Sequence, residues 1–272
     1  MKHILRPILL ISLAVFTINS CKKAEVDTET QTSTDNATAE SEFTTVMPTV
    51  NSAAVREKGV QKMESNGCPK VEIVNWQDTA AIPFVPITVR FLYDNCIDSS
   101  GSGVVRSGTI TATFYKPWKL ITTGDSVVVL DINVTANSKK YTGTMVINKP
   151  AYNSYNTVLK GGKCLWPSGK YVTLEYNKTV TQTSGFGTAQ FNDDVFEFTG
   201  TANGVSRDGK AYTVNITRPL VKAASCKWIS EGTIELTPSG LATRTVDYGS
   251  RNSCDGQGTI TINGNTFNFN IE

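Results

Sequence analysis

Six cysteines, and the intervals between them, carry the most chemical information in this chain of 272 residues. Cys68 and Cys96 lie 28 residues apart, and so do Cys226 and Cys254. Each pair brackets a β-rich run ending near a tyrosine, Ile87 to Tyr93 in one and Thr243 to Tyr248 in the other. Each is followed by an acidic, glycine-containing turn and then Gly-Thr-Ile-Thr, at Gly108 to Thr111 and Gly258 to Thr261. Five cysteines after Cys21 allow about fifteen arrangements of two disulfides and one thiol. The repeat selects Cys68–Cys96 and Cys226–Cys254, with Cys164 left over as a buried, inert thiol or, alternatively, a reactive one. Closing each loop stabilises the fold by about 3–4 kcal/mol in the chain-entropy treatment.

The remaining cysteine, Cys21, ends a different pattern. Lys2, His3 and Arg6 precede an apolar run from Ile8 to Ile18, closed by Ile18-Asn19-Ser20-Cys21. This is the layout of a secretory signal, and the run is too short to cross a ~30 Å hydrocarbon core as a helix. It resembles the signal and lipobox of bacterial lipoproteins, which implies cleavage after residue 20 and a lipid on Cys21. Asn19 is larger than the residue most lipoboxes place there. The membrane is thus an expected partner, reached through Cys21.

Loss of residues 1–20 removes His3, the only histidine. It also takes Lys2 and Arg6 from the 26 Lys and Arg, leaving 24 against 24 Asp and Glu. Balanced charge argues against a nucleic-acid partner, which needs a basic stripe. Without histidine, Ser-His-Asp and Cys-His catalysis and His-ligated zinc are excluded; no Cys-x-x-Cys is present, so no metal and no cofactor is expected. Carboxylates are the acid/base groups left in quantity. Asp193, Asp194, Glu197, Glu231 and Asp247 are candidates for a glycosidase pair, which needs carboxyls ~5–9.5 Å apart; for Asp193-Asp194 a solvated turn is the competing reading. The loops Asp94 to Asp98 and Asp247 to Asp255 offer oxygen ligands but lack EF-hand spacing, and Asx-turns explain them better. Trp118 and Trp166, beside Pro117 and Pro167, are candidate ligand-binding platforms, although packing is the favoured reading for both. Trp76 and Trp228 read as core.

The elements that must position these residues are strands. Ile110, Ala112 and Phe114 alternate with threonines; Val172, Leu174 and Tyr176, then Tyr212, Val214 and Ile216, and Phe267, Phe269 and Ile271 repeat the period of two. Such alternation marks antiparallel strands with one buried face. Asn263-Gly264 and Asp208-Gly209 supply hairpin turns. The predicted fold is all-β, an antiparallel β-sandwich or partly open barrel of about a dozen strands with disulfides. No convincing helix is expected; Ser52 to Ser65 has weak helical character. Residues 1–20 read as signal peptide and 21–66 as lipidated cysteine plus a flexible tether, because this polar stretch lacks an apolar pattern. As a coil it would span roughly 35–40 Å. Residues 67–272 form the all-β domain, with related cysteine-bracketed modules at 68–116 and 226–271.

Cys68-Pro69, the Cys96-Ile97-Asp98 loop with Arg106-Ser107-Gly108, the strands Thr142 to Thr144 and Thr199 to Thr201, and Asp247-Tyr248-Gly249 through Cys254-Asp255 resemble an uncharacterised family of Bacteroidota outer-membrane lipoproteins. That resemblance covers most of 68–272 and supplies no activity. Lys22-Lys23 followed by acidic residues resembles the surface-export signal of such proteins, which implies an outer-membrane, lipid-anchored location on the periplasmic or cell-surface face. The expected function is a non-catalytic binding, structural or adhesion module of the envelope, contacting a glycan or an envelope protein. The alternatives are a glycoside hydrolase using a carboxylate pair, and a carrier of lipid or another hydrophobic ligand.

Overall fold

The computed structural model describes residues 26–55, 67–75, 86–98, 102–115, 127–186, 188, 191–250 and 254–272. Cys21, Trp76 and Trp118 lie outside them. One helix, α1 (Gln31–Val55), precedes thirteen strands: β1 (Lys70–Ile73), β2 (Ile87–Ile97), β3 (Val105–Phe114), β4 (Val127–Ala136), β5 (Lys139–Ala151), β6 (Ser154–Leu165), β7 (Tyr171–Ser184), β8 (Val195–Val205), β9 (Ala211–Ala223), β10 (Glu231–Pro238), β11 (Arg244–Asp247), β12 (Gln257–Ile262) and β13 (Asn265–Asn270). They form one antiparallel sheet in strict sequence order, each strand pairing with its chain neighbours. The expected all-β architecture is therefore present, as an open sheet that curls on itself.

The period-two pattern fixes which face is inside. On β7, Val172, Leu174, Tyr176, Lys178, Val180 and Gln182 are buried while Glu175, Asn177 and Thr179 are exposed. Asn263 and Gly264 both adopt positive φ, at 48° and 83°, the two-residue turn that matches strand twist between β12 and β13. At Gly200 the strand bends with φ 126°, and a Cβ there would come within 2.3 Å of the Asn177 carbonyl oxygen. Gly200 pairs directly with Lys178, so the missing side chain lets β8 close tightly over β7 where the lysine turns inward.

Of the segment 21–66 expected to be a flexible tether, residues 31–55 are instead α1, at the centre of the fold. The sheet curls round it: α1 touches Arg106 of β3, Tyr141 of β5, Lys178 of β7 and, beyond β9, Ile229. Thr32, Ser33, Asp35, Asn36, Glu40 and Thr44 are as buried as Phe43, Met47 and Val50. A polar helix survives there because its hydroxyls bond its own backbone. Thr44 Oγ1 donates to the Ser41 carbonyl, Thr45 to Glu42 and Thr49 to Thr45. At its start Glu29 accepts the Thr32 N–H at 2.7 Å, a carboxylate placed on the positive end of the helix. The expectation failed because it counted apolar residues, whereas α1 is held largely by charge.

Disulfides join Cys68 to Cys96 and Cys226 to Cys254, and Cys164 is free and buried. The two cysteine-bracketed modules become the two edges of the sheet. They approach each other at a cavity of about 10 Å3 lined by Asp98, Ser102, Arg106, Lys222 and Cys226.

Candidate functional site

Among the described residues five cations point into the sheet, four of them at positions in phase with apolar neighbours. Arg106 continues the Ile110–Ala112–Phe114 face, Lys178 the Tyr176–Val180 face, Lys222 follows Leu220, and Arg244 precedes Val246. Arg207, in the β8–β9 turn, is the fifth. Arg106 pairs with Glu42 and, at 2.8 Å, with Asp98. Lys178 pairs with Glu40, Arg207 with Asp35 at 2.6 Å, and Arg244 with Asp27 at 2.8 Å and Glu29 at 3.2 Å. Lys222 donates to the Lys227 carbonyl at 2.6 Å.

Burial pushes the Lys178 ammonium down to about 7 and the Arg106 guanidinium down to about 10, and holds Lys222 well below an ordinary lysine. It raises Asp35 despite the Arg207 contact. α1 and its partners are thus a filled, charge-matched interior. A carrier of a hydrophobic ligand would need this interior, which α1 occupies.

The outer face offers open space. A groove of about 670 Å3 crosses β6 to β10 and is lined by outward residues including Lys163, Thr173, Glu175, Asn203, Val205, Thr213 and Thr237. Its size is that of a small-ligand site. Strand register sets Glu175 opposite Asn203, Asn203 opposite Thr213 and Thr213 opposite Thr237. At ~4.8 Å per strand this is a ladder of carboxylate, amide and two hydroxyls about 14 Å long. Gly161 and Gly162 form the bulge in β6 beside it, where the Gly161 N–H donates to Glu175 at 3.2 Å. Lys163 of this lining places its Nζ 3.9 Å from the ring centroid of Tyr171, which is 47% exposed.

A second groove of about 480 Å3 lies near the Cys226–Cys254 disulfide, with Ser184, Glu197, Val221 and Ser230 among its walls. Glu197 and Glu231 both pair with Val221, from opposite sides. They therefore share the outer face two strands, or ~9.5 Å, apart. Of the other candidate carboxylates, Asp247 pairs with Thr233, two residues along β10 from Glu231. Asp194 is buried and accepts Gln182 Nε2 at 2.9 Å; Asp193 accepts Thr188 Oγ1 at 3.0 Å; Asp247 accepts the Gly249 N–H at 2.9 Å, an Asx-turn. Asp98 is engaged by Arg106, and Asp255 accepts the Gln257 N–H at 2.9 Å. Among the described residues no three acidic, cysteine or histidine side chains converge on a cation site.

Trp166 is not an exposed platform. It is 8% exposed, its indole N–H donates to Glu272 at 2.8 Å, and the Arg207 guanidinium lies 4.2 Å from its ring centroid. The ring packs because the curled sheet brings the end of β13 against the β6–β7 turn. Trp118, its companion in the sequence reading, falls outside the described residues. Trp228, half-buried, lies against Gly256. Cys164 sits against Tyr141, and burial pushes its thiol up to about 12. Tyr152 and Phe186, 74% and 43% exposed, stack with centroids 6.4 Å apart at the opposite end of β6 from Trp166. No sequence signal beyond their turn positions marked them.

Comparison of the chain with protein families, with characterised proteins and with solved structures finds no match to any of them. The fold and the grooves define the class at the level of an all-β protein with a helix-filled, curled antiparallel sheet.

Proposed function

We propose that the protein is a lipoprotein of the cell envelope, anchored through Cys21 in an outer membrane of the Bacteroidota type, and that it binds an extended polyhydroxylated chain, a glycan, without turning it over. The observation that carries this reading is the ladder Glu175, Asn203, Thr213 and Thr237, four polar side chains at regular intervals along an open groove. Repeating hydroxyls of a sugar chain are matched by donors and acceptors in such a row, and Tyr171 offers a ring face beside it. The test is retention of envelope polysaccharides by the purified lipidated protein and by Asn203→Ala and Thr213→Arg. Both residues are exposed, so melting temperatures should hold while binding falls; a bound polysaccharide retained equally by both variants refutes the assignment to this groove.

The rung Glu197–Val221–Glu231 favours one second reading, hydrolysis of a glycan by a carboxylate pair. Turnover lost in both Glu197→Gln and Glu231→Gln would establish it. Glu231 lies 3.6 Å from Arg218.

A further inference from the structure

We propose that the stacked rings of Tyr152 and Phe186, together with the groove beside the Cys226–Cys254 disulfide, form a second glycan-binding site, one that takes neutral pyranose chains. The inference shares with the preceding reading only the class of ligand; it needs neither the ladder at Glu175 to bind nor Glu197 and Glu231 to cleave. Burial supplies the first argument. Both rings are exposed, so packing does not account for them. Their planes are 29° apart, and the pair presents one broad apolar surface to solvent. The turns that carry them are nonetheless tied together. Gln182, itself buried, donates its backbone N–H to the Asn153 carbonyl at 2.8 Å and its side-chain amide to Asp194 at 2.9 Å and to the Ser184 carbonyl at 3.1 Å. The Asp194 carbonyl in turn accepts the Ala224 N–H at 2.9 Å. A platform set in place before the ligand arrives costs little ordering on binding.

What lies beside the rings argues for sugar. Tyr152 is two residues from Ser154, and Phe186 two from Ser184, which lines the groove. From Ser154 the register runs along the outer face through Thr181 and Glu197 to Val221 and Glu231. That row crosses from β6 to β10, four strand spacings or ~19 Å, which is room for several sugar units. Val195, Val221 and Ala223 give the groove aliphatic wall, and Ser184, Ser230 and Glu197 give it polar groups. A pyranose is two-sided in the same way: its C–H face stacks on an aromatic ring while its hydroxyls seek donors and acceptors at the rim. Charge narrows the ligand. Among the described residues the groove wall carries one charged side chain, Glu197, and Glu231 in the same row has Arg218 beside it at 3.6 Å. A sulfated or uronic-acid chain, or an anionic lipid surface, meets no basic excess there and is disfavoured. Thr181 lies six residues along β7 from Glu175, ~20 Å at strand rise, so the two grooves are separate sites.

Titration of the purified full chain with cellohexaose, laminarihexaose, mannohexaose and chitohexaose, followed by saturation-transfer NMR and calorimetry, decides it. At least one of the four should bind. Tyr152→Ala/Phe186→Ala should weaken that binding by about tenfold or more, the scale of a lost aromatic contact, and Ser184→Arg, which fills the groove from an exposed position, should do the same. Melting temperatures should match the parent, because none of the three side chains is buried. No binding by any of the four, or binding retained in full by either variant, overturns the proposal. Thr213→Arg, in the other groove, should leave this binding as it is in the parent; loss in Thr213→Arg alone places the glycan on the ladder at Glu175, supporting that site and overturning this one. Sedimentation with phosphatidylglycerol vesicles that the double variant loses, with no oligosaccharide bound, makes the rings a lipid contact and likewise overturns it.

Discussion

Lys178 and Glu40 meet inside the sheet, 138 residues apart in the chain, with side chains 0% and 1% exposed. The pair ties the middle of α1 to the middle of β7. An ion pair so placed adds little net stability over two well-packed apolar residues, but breaking it by removing one member costs about 3–5 kcal/mol.

Glu40→Ala should therefore destabilise the protein by about 3–5 kcal/mol, because it strands the Lys178 ammonium. Glu40→Leu with Lys178→Met should recover most of that loss. Denaturant unfolding of the three proteins checks both numbers, and a double variant as weak as the single one contradicts the pairing.

Deleting residues 27–55 should abolish cooperative folding of the sheet. The deletion leaves Arg106, Lys178 and Arg244, each at most 4% exposed, facing an empty interior without α1 and its preceding carboxylates. A synthetic peptide of residues 27–55 should restore protection of sheet amides to hydrogen exchange, whereas its Asp35→Asn/Glu40→Gln/Glu42→Gln form should not.

Cys164 should resist iodoacetamide at pH 8 in the native protein and react after unfolding. Its thiol is buried and pushed up to about 12, so thiolate and access are both lacking. Non-reducing peptide mapping should recover Cys68–Cys96 and Cys226–Cys254 with Cys164 alkylated only from denatured samples.

Acid should loosen the contact between the β6–β7 turn and the C-terminal end of the sheet. Partial burial works against the Glu272 carboxylate, but the Trp166 indole N–H and the Arg207 guanidinium outweigh it and hold Glu272 below its usual range. A carboxylate depressed in the folded state stabilises above its unfolded value, ~4.5, and loses that contribution as pH falls through the folded value. Trp166 should therefore change emission below pH ~4.5 before global unfolding. Glu272→Gln should lack that early step, and Trp166→Ala should cost stability as a packed ring does, about 3–5 kcal/mol.

The sheet was legible because its signal is local. Alternation in Tyr171–Gln182, the Asn263-Gly264 turn and the matched cysteine intervals each state a geometric requirement within a few residues. α1 was not legible, because Asp35, Glu40 and Glu42 acquire meaning only from Arg207, Lys178 and Arg106, far along the chain. One signal did exist: Arg106, Lys178, Lys222 and Arg244 occupy the inward phase of their strands, and inward cations require carboxylates from elsewhere. The outer ladder was half legible. Thr213 and Asn203 lie on the outward phase by simple alternation, but their alignment with Glu175 and Thr237 follows from register across four strands. Packing of Trp166 was the favoured reading, but its partner was not legible, because a turn beside proline says nothing of the distant Glu272 that curls back onto it.

Strict neighbour pairing from β1 to β13 also orders the birth of the molecule. Each hairpin can close as soon as its second strand has been made, since nearly all sheet contacts are short in sequence, a topology that favours rapid folding. α1 is made first and enclosed last: Asp27 waits for Arg244, 217 residues later. The nascent chain thus carries an unsheltered acidic segment through most of its synthesis, and charge of one sign favours solubility over that interval. The charge that looks extravagant in the finished interior is suited to the interval before there is an interior.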